Sequence, residues 1–233
     1  MSTLPAENTL IAEDTLIAED IVVDGILTGI NLRLQAGDCL AVVGENGAGK
    51  STLLAVLAGA LLPDRGRVTR PATFAWMAEG SPLDAGVKGR DWLRLHERQP
   101  DWDPALAETL RAALPVPLDR PAEALSLGQR TRLGLLLTLP HRAPLHILDD
   151  PFLGLDPAAR AEAQTLLARV ADASRAVVFA TADLGSAARL TTHLGLLRAG
   201  RPLEVAPIDV WEQRAEAAGQ RLEAYVEARL GGG

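Results

Sequence analysis

Residues 39–52 read CLAVVGENGAGKST, and this stretch limits the possible folds more than any other. The apolar run before Gly44 has the pattern of a strand buried on both faces. KSTLLAVLAGAL then continues with helical periodicity. Between strand and helix, Gly44, Gly49, Lys50 and Ser51 occupy the fixed places of G-x-x-x-x-G-K-[ST]. Glycines let the backbone curl until successive N–H groups converge, and the helix that starts there adds its positive end. Such a turn cradles phosphate. The backbone through Asn46, Gly47, Ala48, Gly49 and Thr52 is expected to line the oxygens. Lys50 supplies a point charge to the outer phosphates, and the Ser51 hydroxyl can ligate magnesium.

A second apolar strand, LHILD, ends in Asp149 and is followed at once by Asp150. An acid ending a strand is by itself an ordinary turn residue. Coupled to the loop at 44–52, Asp149 is expected to hold Mg2+ directly or through water, since the C-terminal ends of such strands form the ligand edge of the sheet.

The rest of the chain alternates. IVVDG and INLRL read as two short strands around a turn, and TFAWM as another strand. Residues 81–125 are rich in proline with helical pieces between, such as ALAETLRAAL, and read as a helical insert. From 126 the order is helix (stopped by Pro140), strand, helix (AARAEAQTLLARVA), strand (AVVFAT), helix and a hairpin at LLRAGRPLEV. This predicts an α/β fold with a mainly parallel sheet, flanking helices and a small antiparallel β part at the N-terminus. The expected organisation is an arm at 1–14, a nucleotide-binding domain at 15–210 with its helical subdomain at about 81–140, and a C-terminal helix and Gly tail at 211–233. That helix should break near Gly219. TLIAED occurs twice in tandem, at 9–14 and 15–20, too few copies for a repeat architecture.

With 30 acids against 23 Lys and Arg, the net charge is −7, which disfavours nucleic acid as a partner. The single cysteine, Cys39, allows no intrachain disulfide and reads as a reduced, buried strand residue. The four histidines lack metal-ligand spacing, and His193 reads as a surface or packing residue. No apolar run nears the roughly 20 residues of a membrane span, and the N-terminus has no signal-peptide core. The expected location is therefore intracellular.

LSLGQ, Leu125 to Gln129, opens a helix between the two halves of the phosphate site. With GENGAGKST, ILDDP and GLDP, it makes the chain resemble the nucleotide-binding subunit of ABC transporters over about residues 20–210. The insert and its closing VPLDRPAEALSLGQRTRL are similar to the compact subunits of ABC-2-type exporters. The resemblance implies a head-to-tail dimer with a second nucleotide-binding subunit. ATP on one phosphate loop would be capped by Ser126, Gly128 and Gln129 of the other, with Asp156 in the loop that couples the sites. It implies a transmembrane permease as partner and a peripheral position on the cytoplasmic face of the membrane. Ser126 also reads as a simple helix N-cap, and Asp156–Pro157 as an N-cap with proline at N1.

Four positions depart from the family pattern. Asp150 stands where the family usually has a catalytic Glu, which retracts the carboxylate by roughly 1.3 Å. Ala182 stands where a histidine would contact the γ-phosphate. Glu79 replaces a magnesium-contacting Gln, and a carboxylate is the stronger hard-cation ligand. No aromatic ring in 15–30 can stack on adenine, and Trp76 reads as core. Binding parts are complete and turnover parts weakened, so slow hydrolysis is expected, with Asp150 or Glu79 as the base. The alternative is an ATP switch acting on a non-transport partner.

Overall fold

The computed structural model describes residues 16–81, 83–84, 86–171 and 174–231. The arm expected at 1–14, with the first TLIAED copy, lies outside them. The second copy supplies the start of strand β1 (Leu16–Val23), which turns back into β2 (Leu27–Leu34). Then come β3 (Cys39–Val43), α1 (Lys50–Ala58), β4 (Arg65–Thr69) and β5 (Ala75–Met77). The insert holds α2 (Gly89–His96), α3 (Pro104–Ala113), a 3-10 turn at Ala122–Ala124 and α4 (Leu127–Thr138). The chain returns through β6 (Leu145–Asp149), α5 (Pro157–Val170), β7 (Ala176–Thr181), α6 (Leu184–Leu190), β8 (His193–Leu196) and β9 (Glu204–Pro207). It continues with α7 (Ile208–Ala217) and α8 (Leu222–Gly231), and Gly219, at φ 67°, provides the left-handed residue between them.

The main sheet has the order β5-β6-β7-β3-β8-β9. Its first five strands run parallel, and β9 closes one edge antiparallel to β8. A separate antiparallel sheet, β2-β1-β4, covers part of one face. The strand β4 was not anticipated. Its residues RGRVT are nearly all exposed, so it carries no apolar alternation to betray it.

Both faces of the main sheet are buried, and the two-residue period of the strands divides the core. Leu40, Val42, Ile147 and Val178 pack with Leu53, Leu54 and Leu57 of α1 and with Leu16, Ile21 and Ile30 of the antiparallel sheet. Cys39, Ala41, Val43, Leu148, Val177 and Phe179 face the other way, toward Leu135 of α4, Leu166 and Leu167 of α5, and Trp211 of α7. Trp211 is fully buried and donates its Nε1–H to the Leu194 carbonyl, satisfying its polar edge. Cys39 is buried as expected, and burial pushes its thiol up to about 12. Trp76 is only half-buried. It packs against one core and lines a cavity of about 500 Å³ between β5 and the helical insert, so its expected core role holds in part.

His146, inside β6, is fully buried, and neither ring nitrogen finds a well-formed hydrogen bond. Burial, reinforced by the charge of Arg175, lowers its pKa to about 4. The fold therefore holds the imidazole neutral. Below the ordinary value of 6.5 the unfolded chain takes up a proton that the folded chain refuses, so stability falls as pH drops from about 6.5 toward 4. His146→Leu is expected to reduce that acid loss by up to about 3 kcal/mol. Urea unfolding of parent and variant at pH 7.5 and pH 4.5 measures it. Equal acid losses in the two proteins would show that another group is responsible.

Candidate phosphate-binding site

The loop from Gly44 to Thr52 joins β3 to α1 at the C-terminal edge of the parallel strands. Gly47 and Gly49 have φ of 83° and 99°, conformations that side chains rarely adopt, so the glycines there are required by the backbone. Gly44 is constrained differently. A Cβ there would lie 2.3 Å from the carbonyl oxygen of Leu197, the residue just beyond β8. The Lys50 ammonium arches back over the loop and donates to the carbonyls of Gly44 (2.8 Å) and Glu45 (3.0 Å). It is half-buried, and burial lowers its pKa against the opposing pull of Asp150, Asp149 and Glu79.

Those three acids surround the lysine from other parts of the chain. Asp149 ends β6 and is buried. Burial pushes its carboxyl up to about 6, opposed by the Ser51 hydroxyl beside it and assisted by the charges of Glu79 and Asp150. Asp150 is half-buried, and burial followed by Glu79 raises it as well. Glu79 lies on the exposed turn after β5, the strand next to β6. Sequence positions 50, 79 and 149–150 thus converge because β5, β6 and β3 end on one edge. The donor set is hydroxyl and carboxylate oxygen, which suits a hard divalent cation. Among the described residues no three His, Cys, Asp or Glu side chains form a metal cage. A cation here would need phosphate and water oxygens in addition, the usual habit of magnesium.

Asp150 has φ of 48°, left-handed backbone on a non-glycine residue. Its N–H donates to the Ala180 carbonyl of β7 (3.1 Å) and its carbonyl accepts from Leu153 N–H (3.1 Å), so the turn after β6 is pinned at both ends. Strain of this kind persists only where surrounding structure determines it.

The helix α4 begins at Ser126, whose hydroxyl accepts from Gln129 N–H, while the Gln129 side chain accepts from Ser126 N–H. This capping box is the structural role anticipated for Ser126. Each side chain keeps a donor: the Ser126 O–H and the Gln129 NH2. Gly128 packs against the acid turn so closely that a Cβ would stand 2.4 Å from the Gly154 carbonyl. Thr131 donates to the Leu153 carbonyl (2.8 Å) and Arg132 pairs with Asp156 (2.7 Å). Asp156 also caps α5 by accepting from Ala159 N–H. Among the described residues no hydrogen bond joins 126–129 to 44–52. Ser126, Gly128 and Gln129 are organised with the acid turn, and the phosphate loop is organised apart from them.

The ABC transporter family model matches residues 27–153. The chain belongs to the ABC transporter family. It is 36% identical over 202 residues to the cytochrome c biogenesis ATP-binding export protein CcmA of Rhodobacter capsulatus, covering 84% of this chain and 86% of that one. It is 33% identical over 230 residues to the hemin import ATP-binding protein HmuV of Streptomyces coelicolor, covering 88% of this chain and 82% of that one. The fold is that of a solved ATP-binding subunit of an ABC transporter, with a TM-score of 0.79, 22% identity, and 92% and 98% of the two chains covered. A dimeric post-hydrolysis state of the ATP-binding cassette MJ0796 bound to ADP and phosphate superposes with a TM-score of 0.71, 17% identity, and 83% and 98% covered.

For an ABC ATP-binding subunit, the end of β7 is sparse. Ala182 is exposed and offers no side-chain donor, and Asp183 stands just before α6, its N–H donating to Thr181 Oγ1 (3.1 Å). His193 lies in β8, half-buried and beside Thr192, away from this edge as expected. The sequence reading missed Arg160, which reaches from α5 to Asp183 at 2.9 Å. Nothing in the local spacing points to it, because the pair is 23 residues apart. Asp150 combines charge repulsion from Glu79 with left-handed backbone strain. Asp150→Asn keeps the left-handed preference and removes a charge, and it should raise the melting temperature by about 2–4 °C per kcal/mol gained. Asp150→Glu keeps the charge and loses the preference, and should melt lower than Asp150→Asn. Calorimetry without nucleotide decides; an Asn variant melting at or below the parent would contradict this account.

Proposed function

We propose that this chain is the ATP-binding subunit of an export complex, working with a transmembrane permease and hydrolysing ATP slowly. The observation that carries the proposal is the convergence of Lys50, Ser51, Asp149, Asp150 and Glu79 on the edge where β3 and β6 end. In this reading the backbone from Gly44 to Thr52 holds the phosphates, and Ser51 and Asp149, with Glu79, hold Mg2+. Magnesium, when bound, neutralises charge on the outer phosphates. Asp150 orients and deprotonates the attacking water. Ser126, Gly128 and Gln129 present their donors to nucleotide on a second subunit, and Asp156 lies where the two sites meet. The export direction is supported by the export protein among the relatives and by the resemblance to compact exporter subunits, although import proteins match at similar identity. Among the described residues no helix is long and apolar enough to cross a membrane, which suits a peripheral subunit on the cytoplasmic face.

Slow turnover follows from two features. The Asp150 carboxylate is retracted by one methylene, and Ala182 contributes no donor. A positioned base is worth 10²–10⁴-fold, so a retracted one loses part of roughly 3–5 kcal/mol. A second reading, an ATP-dependent switch that dimerises and hardly hydrolyses, is favoured by the same features.

Two measurements separate these outcomes. Lys50→Ala should weaken Mg-ATP binding in a titration; equal affinity would sink the phosphate-loop assignment. Steady-state phosphate release should fall in Asp150→Asn. It should rise in Asp150→Glu only if the recovered reach outweighs the strain at φ 48°. A rate insensitive to both substitutions but abolished by Glu79→Gln would move the base to Glu79.

A further inference from the structure

The phosphate loop leans on a part of the chain that its motif does not include. Leu197, just beyond β8, donates its N–H to the Val43 carbonyl (2.8 Å), at the end of the strand that carries the loop. Its own carbonyl lies so near Gly44 that no Cβ would fit between them. Next to it, the Arg198 Nη1 donates to the Arg229 carbonyl (3.3 Å), near the end of α8. Two short links thus join the first residue of the loop to the last described helix.

A clamp holds that helix. Val43 lies opposite Leu196, and Leu196 opposite Glu204, so Glu204 stands in line with the base of the loop two strands away, roughly 10 Å. Glu204 receives Arg214 from α7 at 3.1 Å and Arg229 from α8 at 3.2 Å. The Arg229 guanidinium also lies over Trp211 and Tyr225, 5.9 Å and 5.6 Å from the ring centroids. Val226, fully buried, anchors α8 in the same core as Trp211. Beyond the clamp, Leu230 faces the loop at 45–48 across a cavity of about 310 Å³, with Arg198 on its wall. The helix end and the loop are separated there, and their connection runs through Leu197 and Arg198.

We propose that α7–α8 is a strap that sets the shape of the phosphate loop, with Arg198 as the positioning residue between them. The loop binds Mg-ATP tightly while the strap is clamped, and bound nucleotide in turn holds the strap down. The proposal rests on the phosphate-loop reading above and adds a regulatory input to that site. A loop that needs Gly47 and Gly49 at positive φ has little stiffness of its own, so what packs against its base decides its shape. The coupling is reciprocal. Any factor by which the clamp raises nucleotide affinity is the factor by which nucleotide stabilises the clamp.

The test combines Mg-ATP titration of the full chain, as parent, Arg229→Gln, Glu204→Ala, Arg198→Gln and Arg198→Lys, with hydrogen exchange of the α8 amides in the parent. Arg229 and Glu204 carry opposite charges. A purely electrostatic influence on the anionic nucleotide would weaken binding in one variant and tighten it in the other. The strap predicts that both raise Kd, at least about fivefold. Arg198→Gln should do the same, and Arg198→Lys, which can still donate to the Arg229 carbonyl, should recover part of the loss. In the parent, protection of α8 should rise by a matching factor and level off once the loop is saturated. Opposite shifts in Arg229→Gln and Glu204→Ala, a Kd within about twofold of the parent in both, or α8 protection unchanged by saturating Mg-ATP would overturn the strap and leave the phosphate-loop reading intact. Protection that keeps rising with nucleotide concentration would mean that α8 opens only with the whole fold, and would overturn it too. The exchange measurement needs no variant, so it decides even where a substitution unfolds the protein. A parent that fails to bind Mg-ATP would overturn the phosphate-loop reading and the strap with it.

Discussion

Three carboxylates share one lysine at the phosphate loop, and much of this chain's architecture exists to bring them there. Lys50 is held by the Gly44 and Glu45 carbonyls. Asp149, Asp150 and Glu79 arrive from strands that follow β3 by about thirty to a hundred residues. Burial raises the proton affinity of both aspartates and lowers that of the lysine, and the acids oppose one another's ionisation while Lys50 supports it. Such an arrangement costs stability, and the proposed phosphate and divalent cation would relieve it. Sites of this kind commonly trade stability for function.

Much of the fold was legible because its signals are local. CLAVV, LHILD and AVVFAT are short apolar runs with turn residues at their ends, and each became a central strand. Proline and Gly219 marked the helix boundaries at 140 and 219 for steric reasons that hold in any context. The strand β4 was invisible because an exposed edge strand has no face to pattern. The half-burial of Trp76 was also hidden, since the cavity beside it forms between segments far apart in sequence.

In the candidate site, motif spacing pointed to the residues but not to their conformations. The left-handed backbone of Asp150 is tied to Ala180, thirty residues away, and nothing in the residues around 150 announces it. The same holds for the contact of Gly128 with Gly154, which joins the start of α4 to the acid turn. Reading Asp150 as simply a shortened glutamate considered the side chain alone. The backbone adds a second reason for a short acid there, because Asp tolerates that conformation better than longer side chains do.

The burial of Cys39 has a practical consequence. It is the chain's sole thiol, and it opens the very strand that carries the phosphate loop. With its thiol pushed up to about 12 and its side chain enclosed, it is almost wholly un-ionised near neutral pH and shielded from reagents. Modification then requires the central strand to open. The rate at which a thiol reagent labels this protein is thus a built-in clock for opening of β3, and any ligand that tightens the loop at its far end should slow it.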